Sequence, residues 1–108
     1  MPDFDSIFND LKDGAKELIG LTLKNYKEAA EEDVMAFLNE SKDSLARWTK
    51  LLAAGDLSIS DFEWLVQSQK DLLLMNGLKQ AGLAKIRIDQ FKNGFLNLIS
   101  DKVLDKVL

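Results

Sequence analysis

In the first half of the chain every eleventh residue from Phe4 is apolar or aromatic: Phe4, Ala15, Tyr26, Phe37, Trp48. The series offset by four reads Phe8, Ile19, Ala30, Ser41, Leu52, and a third reads Leu23, Val34, Leu45. Combined, they form a stripe at positions 15, 19, 23, 26, 30, 34, 37, 41, 45, 48 and 52, in which Ser41 is the one polar member. Eleven residues make about three turns at ~3.67 residues each, so such a stripe runs almost straight along a helix. Lys, Glu, Asp and Asn fill the positions between, as an exposed helix face requires.

The second half keeps the same style. Phe62, Val66, Gln69, Leu73, Gly77, Gln80, Ala84, Ile88, Phe91, Phe95 and Ile99 follow spacings of three and four. No segment of strand length alternates with period two, and the single proline is Pro2. The chain therefore reads as all-α. The pattern runs through Gly77, which predicts a kink or a close-packing point at Asn76-Gly77. The alternative is a C-cap and turn there, which would convert the chain into a compact three- or four-helix bundle. Gly14 and Gly20 pose the same question near the N-terminus, where a short separate helix over residues 4–11 is the alternative.

One turn is well specified. Leu51-Leu52-Ala53-Ala54 ends a helical pattern, and Gly55 follows as a left-handed C′ residue. Ser58 is placed to cap the next helix, with Asp61 at N3 and a hydrophobic staple between Leu57 and Phe62. A second register works as well, with Ser60 as cap, Glu63 at N3, and Ile59 stapled to Trp64. The resulting expectation is a single domain over 1–108, an antiparallel hairpin of two long helices. The first arm covers about 4–54, the turn 55–57 and the second arm about 58–107. Unbroken, each arm would reach roughly 75 Å at ~1.5 Å per residue. Folding at residue 56 sets residue i opposite about 112 minus i, and so Glu28, Glu31, Glu32 and Asp33 opposite Lys79, Lys85 and Arg87.

Two lone helices cover little of each other. Leu72, Leu73, Leu74 and Met75 are consecutive and would occupy every side of a helical turn. Such breadth calls for a cover. The simplest is a second copy, giving a four-helix bundle from two hairpins. The expected interface residues are Leu72, Leu74, Met75, Leu78, Ile86, Phe91, Phe95, Leu98 and Ile99. The competing expectation is that the chain bends at its glycines and covers itself.

Composition narrows the chemistry. The 108 residues contain no cysteine and no histidine. That removes disulfides, thiolate sites, the commonest general base and the commonest metal ligand. Glu28 and Glu32, one turn apart, can share a cation, but bundle carboxylate sites normally recruit histidine, so a solvated acidic face is the preferred reading. Gly77-x-x-x-x-Gly82 lacks the Lys-Ser/Thr pair of a phosphate loop. No catalytic, cofactor or metal residue is assigned, and an enzyme is the least expected class. Trp48 and Trp64 flank the turn and are expected to pack together, with partner anchoring as the alternative. Gln69 and Gln80 are expected to be buried and to fix register. Asp89 is expected to join Lys85, Arg87 and Lys92 in a surface network.

Net charge is −4, distributed unevenly: residues 1–63 hold 14 acidic and 7 basic side chains, and 64–108 hold 4 and 7. The whole is too acidic for a nucleic-acid binder. Met1-Pro2-Asp3-Phe4-Asp5 carries acid where a secretion signal needs positive charge, and no apolar run approaches ~20 residues. A cytoplasmic location is expected.

Three functional readings follow. The leading one is a non-enzymatic interaction, scaffold or adaptor protein working through apolar helix faces, self-associating or binding another protein. The second is a peripheral lipid-surface protein, because an eleven-residue stripe is flat and the basic second half can meet anionic headgroups. For the third, the chain resembles the small secreted helical hairpins of the WXG type in length, acidity and shape. The Trp-x-Gly turn of that family is absent: the chain has Trp48-Thr49-Lys50, and its turn glycine is Gly55.

Overall fold

The computed structural model describes residues 3–108. Met1 and Pro2, the first residues of the acidic Met1–Asp5 stretch, lie outside that range. Among the described residues there are five α-helices and no strand: α1 (Phe4–Thr22), α2 (Lys27–Ala53), α3 (Ile59–Ser68), α4 (Asn76–Gln80) and α5 (Lys85–Val107). A 3₁₀ turn at Lys24–Tyr26 joins α1 to α2, and a second at Gln69–Leu72 continues α3.

The turn at Gly55 forms as the sequence predicts. Gly55 has φ +80°, the Asp56 N–H donates to the Leu51 carbonyl (2.9 Å) and the Gly55 N–H to the Leu52 carbonyl (3.2 Å). These two bonds are the Schellman closure of α2. Ser58 caps α3: its Oγ accepts from the Asp61 N–H at 3.0 Å. Phe62 is buried and Leu57 packs against the core, as the staple requires. The Ser60 register is not used, because Ser60 lies inside α3.

Neither arm is one long helix. The first breaks at Leu23, whose φ −131° and ψ 42° leave the helical region. The break falls at neither Gly14 nor Gly20, which both lie inside α1. Here tertiary packing overrides local preference. Leu23 is buried, and the reversal lets the two halves of the first stripe face each other. Antiparallel pairing of α1 and α2 is marked by Lys42, whose Nζ sits 5.0 Å from the Phe8 ring centroid and 3.5 Å from Asp5 Oδ1.

The second arm folds back at residues 81–84. Gly82 has φ +89°, the Leu83 N–H donates to the Leu78 carbonyl (3.1 Å), and the Gly82 N–H to the Lys79 carbonyl (3.1 Å). This is the Schellman arrangement of Gly55 again, here with a buried Leu78–Leu83 pair at its apolar positions. Asn76-Gly77 is neither a kink nor a C-cap, since α4 begins there. The close-packing expectation does hold: a Cβ on Gly77 would lie 2.8 Å from Asp33 Oδ1.

The chain thus forms four columns running alternately up and down: α1, α2, the α3–α4 stretch, and α5. Its longest extent is 43 Å, with 22 and 20 Å across. The predicted cross-arm register survives this refolding. Gly14 faces Leu98, Leu18 faces Gly94, and Arg87 donates to the Thr22 carbonyl at 3.0 Å. Both stripes meet in one continuous core, centred on Phe37, Phe91 and Phe95. The Phe37 and Phe95 rings meet edge to face at 5.8 Å, and Phe91 and Phe95 stack at 6.2 Å. Every member of the first stripe is buried or half-buried. The second stripe fails at Gln80 and Ala84, which flank the turn and are exposed.

Candidate interaction surfaces

The self-covered core changes which apolar residues are free. Of the nine residues expected at an interface, Met75, Leu78, Phe91, Phe95 and Ile99 are buried within the single chain, and Leu98 is half-buried. Their breadth is spent on the chain's own fourth column. Leu72 and Leu74 remain 56% exposed and Ile86 68% exposed.

The split inside Leu72-Leu73-Leu74-Met75 has a local cause. The 3₁₀ turn ends at Leu72, Leu73 takes φ −86° and ψ 78°, and Met75 sits at φ 55°, in the left-handed region. With these angles the link has left the helix, and its side chains no longer follow the helical step. Leu73 and Met75 enter the core, while Leu72 and Leu74 face out. They flank a cavity of about 170 Å³ against α2, lined also by Ala36, Phe37 and Glu40.

Asp33 holds this shoulder in place. Its carboxylate accepts from the Gly77 N–H (Oδ1, 2.9 Å) and the Leu78 N–H (Oδ2, 2.9 Å), the free amides at the start of α4. The predicted apposition of the acidic run to residues near 79 is thus met through backbone amides. No ion pair joins that run to Lys79, Lys85 or Arg87 among the described residues. Among the described residues the ion pairs are Lys42–Asp5 and Lys106–Asp10 (3.2 Å), and the Asp89 network is not formed either. No group of three acidic residues among those described is arranged to hold a metal.

Trp48 and Trp64 do not stack as expected. Trp48 packs against the core, while Trp64 stands 68% exposed on α3. Gln69 is half-buried and Gln80 exposed, so neither fixes register from inside. The buried polar residues are instead Ser41, Thr49 and Ser100, of which Thr49 Oγ1 and Ser100 Oγ have no hydrogen-bond partner.

A further surface forms at the end of the bundle where α1 stops and α2 and α5 start. Residues 21–28 and 79–87 meet there, held by the Arg87–Thr22 bond and by the Arg87 guanidinium 6.0 Å from the Tyr26 ring centroid. Lys24, Lys27, Lys79, Lys85 and Arg87 are all exposed at this end, with Glu28 the one acid within these two segments. Leu21 and Ile86 project among them, 78% and 68% exposed. An open hollow of about 520 Å³ lies between residues 24–29 and Ala81. The hairpin register already sets these two segments opposite each other, but on straight arms they would lie halfway along a rod; the reversals at Leu23 and Gly82 turn them into an end of the bundle. Among the described residues, no helix is long and apolar enough to cross a membrane. No protein-family model, curated protein or solved structure matches the chain.

Proposed function

We propose that this chain is a non-enzymatic helical interaction protein, working through apolar side chains that its folded core leaves outside, with a second copy of the chain as the partner. The observation that carries the reading is the shoulder of Leu72 and Leu74. Two large aliphatics stand more than half exposed on a link whose neighbours are fully buried. A self-contained bundle has no packing need for them there, and the Asp33 bonds tie the start of α4, just after the link, to α2. Trp64 on the same column adds an exposed aromatic of the kind that anchors interfaces.

Light scattering on a sizing column over a concentration series tests this. The expected mass rises to twice 12.1 kDa or more, and the Leu72→Ser/Leu74→Ser variant stays at the monomer mass with an unchanged helical spectrum. Wild-type protein at the monomer mass at every concentration would reject self-association. Equal association of both proteins would remove the shoulder from the interface.

A further inference from the structure

We infer that the basic pole is a docking surface for an anionic lipid bilayer, which the bundle meets end-on. The inference is independent of the shoulder proposed above, since it uses other residues. Three observations converge on the pole.

The first is charge. Five cations and one carboxylate give the pole +4, so the rest of the chain, at −4 overall, carries −8. Further carboxylates, Glu17, Glu31, Glu32, Asp33 and Asp89, lie further along α1, α2 and α5, and that of Asp33 is taken up by the Gly77 and Leu78 amides. None of the five cations is in an ion pair among the described residues. They lie at one end of a body 22 and 20 Å across, against a screening length of ~8 Å at physiological salt.

The second is apolar exposure in the same place. Leu21 is the most exposed large hydrophobic residue among those described, and Ile86 is among the next. Aliphatic side chains ringed by lysines match the layered chemistry of a bilayer surface, with phosphate outermost and acyl carbon beneath. A nucleic acid offers charge but no such apolar layer. The hollow beside Lys24 and Lys27 gives a phosphodiester headgroup room.

The third is a local choice made against helix stability. α5 opens with Lys85-Ile86-Arg87, has no acid in its first turn and has no side-chain cap at Ala84. Cations beside the positive end of a helix are unfavourable, and an uncapped N-terminus leaves amides free. α2 also opens with a lysine, Lys27, and has no side-chain cap at Tyr26, with Glu28 the one acid in its first turn. An anionic surface relieves both ends at once. The remaining acidic body is repelled by the same surface, which holds the rod upright with the Gly55 turn pointing away.

Sedimentation with mixed phosphatidylcholine–phosphatidylserine vesicles, against pure phosphatidylcholine vesicles, tests the inference on the wild-type chain. Binding is expected to the mixed vesicles only and to fall steeply with added salt. The Lys24→Gln/Lys27→Gln/Lys85→Gln variant should lose on the order of a hundredfold in partitioning, at roughly fivefold per lysine. Leu21→Ser/Ile86→Ser should weaken binding while its salt dependence persists. Brominated lipid should leave the fluorescence of Trp48 and Trp64 unquenched, because both sit away from the pole. Four results would overturn the proposal: no binding to mixed vesicles, undiminished binding by the lysine variant, quenching of Trp64, or salt-sensitive binding to soluble polyglutamate or heparin without binding to vesicles. The last would reassign the pole to an acidic macromolecule.

Discussion

Replacing Asp33 by alanine removes both hydrogen bonds that hold the start of α4. The Gly77 and Leu78 amides would then face a half-buried site without an acceptor. A bond to a charged group in a protected setting is worth ~1.5–3 kcal/mol, and water can replace part of it at half exposure, so the pair is worth about 2–3 kcal/mol. The loss should be local first. Hydrogen exchange at Gly77 and Leu78 is expected to accelerate on the order of a hundredfold, at tenfold per ~1.4 kcal/mol. Urea unfolding followed by Trp48 and Trp64 fluorescence should show a smaller global loss. Gly77→Ala supplies the decisive control. Its Cβ would lie 2.8 Å from Asp33 Oδ1 and 3.2 Å from Cγ, so it must displace the carboxylate and should cost about 1–2 kcal/mol. With Asp33 already replaced, the same change loses nothing and gains up to ~1 kcal/mol of helix propensity. The two effects should therefore couple by at least ~1 kcal/mol. An identical shift for Gly77→Ala in both backgrounds would refute the close-approach reasoning.

Other positions are expected to respond as follows. Gly82→Ala forces a side chain into φ +89° and should lower stability by about 1–2 kcal/mol, whereas Gly20→Ala, inside α1 with open space around it, should raise it by ~0.5–1 kcal/mol. Paired thermal melts check both signs. Thr49→Val replaces a buried hydroxyl that has no partner and should stabilise by ~1 kcal/mol, read as a melting temperature ~4–8 °C higher. Phe95→Ala removes the ring that both Phe37 and Phe91 pack against and should cost about 3–5 kcal/mol by urea titration.

The comparison of Gly55 with Gly82 explains why one turn was legible and the other was not. Both glycines close a helix with the same pair of backbone bonds and both have positive φ. Gly55 stood out because Ser58 and Asp61 announced a new helix just after it. After Gly82 comes Leu83-Ala84-Lys85, which carries no cap, so α5 starts with no side-chain signal. The signal that was present is the Leu78–Leu83 pair around Gly82, the apolar contact of a Schellman turn. At Leu23 the signal was weak: Gly20 lies three residues before the break and Asn25 two after it. A residue with good helix propensity leaves the helix because burial of its side chain outweighs one turn of backbone bonding.

Local pattern alone determined that the chain is helical, that residues 15 to 52 carry one buried stripe, and that Gly55 and Ser58 make a turn and cap. Each is a property of a few neighbouring residues or of a simple period, so it survives any later folding of the arms. Only the tertiary structure decided that each arm doubles back, since that choice depends on how much apolar surface the chain can cover with itself. The same decision buried Met75, Leu78, Phe91, Phe95 and Ile99 and left Leu72 and Leu74 outside. It also gathered Lys24, Lys27, Lys79, Lys85 and Arg87, drawn from both arms, onto one end around Leu21 and Ile86.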